Sequence, residues 1–273
     1  MAGLRRPLSE SKPDMRCSSA EFTDIGTVRD HNEDAFLAFP EDALWIVADG
    51  MGGHQAGEIA SGLICDTVSS EWHRCGGSLD NLQLQAAFEL ANRRIRQYGE
   101  ETLPGSTLGS TMVALNIIDG RYCVHWIGDS RAYLLRNGRL RCLSRDHSQV
   151  AELVEQGLLS EEEAETHPLS NVITRALGVE AEPRIDQVEG DVMPGDRFLL
   201  CSDGISREFA LRELEALLSN EPIEDISRAL RHEALVKGCQ DNITSVIVQI
   251  DHLAAGETLD RSDSTLPVRQ WVQ

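Results

Sequence analysis

Apolar positions in this chain gather into short blocks. "FLAF", "ALWIVAD", "STMVALNII", "YCVHWIG", "RAYLLRNGRLRCL", "RFLLCSD" and "NITSVIVQI" are rich in β-branched, aromatic and other apolar residues and bounded by Gly, Asp or Asn. Blocks of that length and composition predict strands. The Asn137-Gly138 pair between apolar flanks predicts a hairpin, because both residues tolerate the positive φ that a tight turn demands.

Two longer patterns have helical spacing. Ile59, Leu63 and Val68 recur near one stripe over residues 55–72, and Leu82, Ala86, Leu90 and Ile95 do so over 82–98. Further helices are expected at about 147–166, 211–218 and 223–236. Meandering strands and paired helices predict an α+β fold with helices covering antiparallel sheets. The regular βαβαβ alternation of a dinucleotide-binding fold is missing. Residues 1–18 are polar and expected to be disordered, 19–251 to form one folded domain, and 252–273 to trail as a tail.

Composition narrows the partners. Against 45 Asp+Glu stand 25 Lys+Arg, a formal charge of −20, so nucleic acid and anionic membranes are poor partners. The 7 cysteines are scattered, without a C-x-x-C pair, which suggests reduced thiols in the cytoplasm. No apolar stretch follows the N-terminal basic residues, and no run reaches membrane-spanning length. A cytoplasmic monomer is expected.

Candidate chemistry begins at "VADGMGGHQAGEIAS", residues 47–61, where a carboxylate ends an apolar run and glycines crowd in behind it. A G-x-G-x-x-G fingerprint fails because residue 55 is Gln, and a phosphate loop fails because no lysine is near. Asp49 would also repel a phosphate. Hard cations such as Mg²⁺ or Mn²⁺ fit better, since they take carboxylate and carbonyl oxygens. An ordinary Asp-Gly turn explains one such acid. Similar placements recur at Glu33 and Asp34, Asp129, Asp203 and Asp241, and acids at the ends of several apolar runs suggest a shared cationic target.

Taken in order, these segments resemble the metal-dependent protein phosphatases, the type 2C serine/threonine phosphatases, in their short bacterial form. The matching stretches are R-x-x-N-E-D at 29–34, DGMGGHxxGExAS at 49–61, GST at 105–107 and GDSRAYLLRNG at 128–138. RDHS at 145–148, ITRALG at 173–178, CSDG at 201–204 and DNIT at 241–244 complete the set. The resemblance covers about residues 20–250 and implies two packed antiparallel sheets flanked by helix pairs, an α-β-β-α sandwich. It also implies hydrolysis of protein phosphoserine and phosphothreonine with Mn²⁺ or Mg²⁺, opposing a serine/threonine kinase.

Residue roles follow from the same resemblance. Asp49 bridges two metals; Glu33 and the Gly50 carbonyl hold one, while Asp203 and Asp241 hold the other. Asp34 accepts a hydrogen bond from water on the metals, and Arg29 binds the phosphoryl oxygens through its planar fork. Two cations about 3.5–4 Å apart make water a nucleophile near neutral pH, so no cysteine is needed. Asp129 resembles the acid of a third metal site, with a turn cap as the alternative. In animal members a histidine follows the Asp-Gly. Here Met51 holds that place, and His54 stands between a general-acid role and a helix-start hydrogen bond. Residues 147–178 resemble a flap beside the site, from which Arg175 either reaches the centre or pairs with an acid. Two other readings are an inert phosphoprotein-binding relative, against which the intact ligand set argues, and a hydrolase of small phosphate esters or phosphodiesters.

Overall fold

A computed structural model describes residues 15–52, 56–105, 107–160, 163–164, 167–219, 222–253 and 266–267. The chain begins with strands β1 (Met15–Asp24), β2 (Asp34–Phe39) and β3 (Leu44–Met51). Helices α1 (Ala56–Arg74) and α2 (Asn81–Thr102) follow. Next come β4 (Gly109–Ser110), β5 (Met112–Ile118), β6 (Arg121–Ile127), β7 (Arg131–Arg136) and β8 (Arg139–Cys142). Helix α3 (Gln149–Glu155) precedes β9 (Asp186–Asp191) and β10 (Arg197–Cys201). The one-turn helix α4 (Asp203–Ser206) and helices α5 (Leu211–Leu218) and α6 (Ile223–Lys237) lead to β11 (Ile243–Leu253) and a short β12 (Leu266–Pro267).

Two antiparallel sheets result. One has the order β1-β11-β10-β7-β8; the other runs β12-β9-β6-β5-β3-β2, with β4 on β3. Alternation along each strand builds three apolar layers. Trp45, Val47, Val113 and Leu115 meet Leu134, Phe198, Leu200, Val246 and Val248 between the sheets. Leu44, Ile46, Met112 and Ala114 point the other way, onto Ile64, Val68, Leu84 and Phe88 of α1 and α2. On the far side Leu199, Cys201 and Ile247 pack against Leu214, Leu218, Ile226 and Leu230 of α5 and α6. Central strands are thus buried on both faces, which explains why they read as continuous apolar runs. The α-β-β-α sandwich is as expected.

Local signals mostly hold. Asn137 and Gly138 take φ 53° and 73° in the β7–β8 turn. Asp80 caps α2 by accepting from the Gln83 amide at 2.7 Å, and Gln83 Oε1 accepts from the Asp80 amide at 2.9 Å. Strands β1, β9 and the short β12 had no clear signal. β1 starts at Met15, within the stretch expected to be disordered, and β9 carries three acids among its six residues. Over residues 147–166, the α-helix α3 covers only Gln149–Glu155, and the Ser160 hydroxyl accepts from the Glu163 amide at 3.2 Å to cap a further turn. No helix among the described residues is long and apolar enough to cross a membrane.

Candidate active site

The acids named from sequence lie at strand ends on one side of the sandwich. Asp34 opens β2 and is the direct partner of Asp49 on β3. Glu33 immediately precedes β2, and Asp129 sits in the turn between β6 and β7. Asp203 begins α4 just beyond β10, and Asp241 lies two residues before β11. Because β10 and β11 are neighbours in the facing sheet, a strand-end acid on each is delivered to the same cleft.

Polar contacts stitch the two sheets together here. The Ser202 hydroxyl donates to Asp34 Oδ2 at 2.7 Å. Asn242 Oδ1 accepts from the Glu33 amide at 2.8 Å, and its Nδ2 donates to the carbonyls of Ile25 and His31, both at 3.0 Å. One amide side chain therefore fixes the loop that carries Arg29 and Glu33. Thr111 Oγ1 accepts from the Asp49 amide at 3.2 Å, and the Ser110 hydroxyl donates to the Asp49 carbonyl at 2.9 Å.

Two glycines allow the backbone to close around Glu33. A Cβ on Gly50 would lie 2.0 Å from the Gly57 carbonyl oxygen and 2.7 Å from that of Glu33. On Gly57 it would lie 2.6 Å from the Glu33 carboxyl. Instead the Gly50 amide donates to the Glu33 carbonyl at 3.0 Å, and the Gly57 amide donates to Glu33 Oε1 at 3.2 Å. The sequence pattern D-G…G-E thus records a strand end and a helix start that touch.

The acids act on one another through their charges. Burial pushes the Asp49 carboxyl well above the usual range, with Asp34, Asp203, Asp129 and Asp241 adding to the rise. Asp34 is pushed to about 7, chiefly by burial and against the pull of the Ser202 and Thr244 hydroxyls. Burial also raises Asp203, with Arg207 opposing, and Glu33, with the Gly57 amide and Arg29 opposing. Asp129 rises to about 7 for the same first reason. Repelling carboxylates on a desolvated surface are costly unless protons or cations compensate.

The donor set fits hard divalent cations: carboxylate oxygens and the backbone carbonyl of Gly50 near the end of β3, with no sulfur or imidazole at these positions. Asp34 Oδ1 is buried without a hydrogen-bond partner, as suits a group waiting for a donor outside the protein chain. Among the described residues no three acids close into a ready-made metal cage, although the Asp49 and Asp203 side chains are within hydrogen-bonding reach of each other.

The remaining candidates divide. Arg29 is half-exposed at the rim, and its Nη2 donates to Asp241 Oδ2 at 2.8 Å. Its closest acid is therefore Asp241 and not Glu33, four positions along. Arg175 pairs with Asp186 at 3.5 Å, beside His147 Nε2 at 3.3 Å, so of its two expected roles the acid pair holds. The flap-like stretch is joined to the centre by reciprocal Ser110–Leu177 backbone bonds at 2.9 Å. His54, and Ser106 of the GST stretch, lie outside the described residues. Asp129 is bound by Arg207, whose Nη2 lies 2.9 Å from its Oδ2. Arg207 was not among the sequence candidates, although its spacing four residues after Asp203 is a helical ion-pair signal.

A profile of the protein phosphatase 2C family matches residues 27–254. The serine/threonine phosphatase stp of Listeria monocytogenes serotype 4b is 36% identical over 241 residues, 85% of this chain and 96% of that protein. The structure of PppA, described as a key regulatory component of the type VI secretion system in Pseudomonas aeruginosa, is 40% identical. It superposes with a TM-score of 0.75 over 86% of this chain and 98% of its own. The catalytic domain of the serine/threonine protein phosphatase PstP, solved with 2 manganese ions, is 33% identical with a TM-score of 0.78, covering 87% of this chain and all of that one.

Proposed function

Because the chain belongs to the protein phosphatase 2C family, we propose that the acid cleft is its active site, with Glu33, Asp49, the Gly50 carbonyl, Asp203 and Asp241 as ligands of a dinuclear metal centre. The protein is a metal-dependent serine/threonine phosphatase that hydrolyses phosphoserine and phosphothreonine in proteins, using Mn²⁺ or Mg²⁺. The observation that carries the assignment of residues is the setting of Asp49, whose carboxyl feels acids from both sheets at once. A bridging ligand must occupy such a position. When bound, the two ions supply the polarisation that makes water a competent nucleophile near neutral pH.

The chain's own groups do the rest. Asp34 is held by Ser202 through one oxygen, leaving Oδ1 to accept a hydrogen bond from the attacking water. Arg29, at the open rim, has guanidinium donors beyond the one given to Asp241 and takes the phosphoryl oxygens. A covalent thiol route is disfavoured. Cys201, the cysteine nearest Asp203 in sequence, is raised by burial, and Cys239 is pushed up to about 11, so neither is a thiolate at neutral pH. The substrates are phosphorylated proteins, and a serine/threonine kinase acting on the same proteins is the opposing enzyme.

The test is phosphate release from phosphoserine, phosphothreonine and phosphotyrosine peptides, each with Mn²⁺ and with chelator. Release from the first two with Mn²⁺ alone, lost in a folded Asp203→Asn variant, is the expected result. Turnover that persists under chelator, or in Asp203→Asn, would overturn the site.

A further inference from the structure

Asp129 was expected either to help hold a third metal ion or to cap a turn, and Arg207 is paired with it. Its Nη2 lies 2.9 Å from Asp129 Oδ2, and its Nη1 lies 2.8 Å from Asp203 Oδ2. The two prongs of one guanidinium therefore join an acid on the β6–β7 turn to an acid on α4. We propose that Arg207 is a built-in cation that takes the place of a third metal ion at Asp129, so that the enzyme works with two bound ions and one fixed positive charge. This rests on the dinuclear reading above.

Position makes the bridge a designed feature of the fold. Arg207 directly follows α4, its amide donating to the Asp203 carbonyl at 2.9 Å, so the side chain is launched one helical turn from Asp203, on the same face. Charge-assisted bonds of this length are among the stronger ones in proteins. They are sheltered too: the Asp129 and Asp203 side chains are 7% and 13% exposed and that of Arg207 34%. An incoming ion would have to displace the guanidinium from both partners. Arginine cannot shed its proton in a protein, so the charge stays through any change of pH or chelator.

Neighbouring groups offer no replacement. Asp146 also raises Asp129, but it is gripped by Arg131 at 2.8 and 2.7 Å. Charge balance points the same way. Glu33, Asp34, Asp49, Asp129, Asp203 and Asp241 are matched by two divalent ions together with Arg29 and Arg207. With all six acids ionised and no phosphate bound, a further ion would leave the cleft with two excess positive charges.

The experiment counts Mn²⁺ per chain by equilibrium dialysis, into the millimolar range, with the Mn²⁺ resonance spectrum read in parallel. The wild type and Asp129→Asn are both expected to take up two ions. Arg207→Ala frees Asp129 and is expected to take up three, falling to two in the Arg207→Ala/Asp129→Asn double variant. A third ion in the wild type that Asp129→Asn removes would overturn the proposal. So would an Arg207→Ala variant that melts like the wild type yet stays at two. If Arg207→Ala does not fold, the wild-type and Asp129→Asn counts decide alone. Fewer than two ions in the wild type, or no loss in Asp49→Asn, is a failure of the dinuclear centre and is distinguishable from either outcome.

Discussion

Asp34 and Asp49 stand directly opposite each other across the β2–β3 ladder. Like charges in that relationship destabilise a sheet by up to about 1 kcal/mol, and Asp34 is buried as well, with the Ser202 hydroxyl on one of its oxygens. The pairing is useful only if a cation or proton is shared between them. In chelator, Asp34→Asn is therefore expected to raise the melting temperature by about 2–4 °C while lowering phosphatase activity with Mn²⁺. A thermal melt that falls would show that the two acids do not oppose each other.

Gly57→Ala separates site geometry from helix propensity. Alanine ordinarily stabilises a helix by about 1 kcal/mol over glycine. Here the added methyl would sit 2.6 Å from the Glu33 carboxyl and push it from its place. The Mn²⁺ concentration for half-maximal activity is expected to rise about 10–100-fold, the range seen when a ligand loses its support. An unchanged metal dependence would remove Glu33 from the centre.

Arg29 binds Asp241 through one nitrogen and faces solvent with the rest. Losing charge-assisted bonds worth about 1.5–3 kcal/mol lowers kcat/KM by about 10–100-fold. Arg29→Ala is expected to show that loss with phosphothreonine peptide, and Arg29→Lys to recover little of it because a single ammonium cannot span two phosphoryl oxygens. Full activity in Arg29→Ala would assign phosphate binding elsewhere.

His125 gives the fold an acid limit away from the site. It lies on β6 on the face covered by α2, edge-on to Phe88 with ring centroids 5.8 Å apart, and burial lowers it to about 4 from 6.5. The unfolded chain then binds the proton more readily than the folded one, so stability is lost as pH falls from about 6.5 to about 4. That shift corresponds to about 3 kcal/mol. Melts over this window are expected to be flatter for His125→Leu than for the wild type. Parallel curves would locate the acid sensitivity elsewhere.

Much of the site was legible because a strand-end acid leaves a mark in sequence. Asp49 and Asp203 each close an apolar run before glycine, and Asp241 precedes the apolar strand β11. Partnerships across the fold leave none. Arg29 and Asp241 are 212 positions apart, and the Asn242 clamp on the Glu33 loop depends on β11 lying beside β1. Arg207 carried a local signal, its spacing from Asp203, but its second partner Asp129 is 78 positions away. β1 escaped notice for another reason. As an edge strand it buries only Ala20 fully, so its sequence never needed the apolar density of β3 or β5.

The most direct measurement is an anomalous difference map from crystals grown with Mn²⁺, collected at the manganese edge. Two peaks flanking the Asp49 carboxylate are expected, one toward Glu33 and Gly50 and one toward Asp203 and Asp241. Peaks elsewhere on the molecule, with the cleft between β3 and β10 bare, would contradict it.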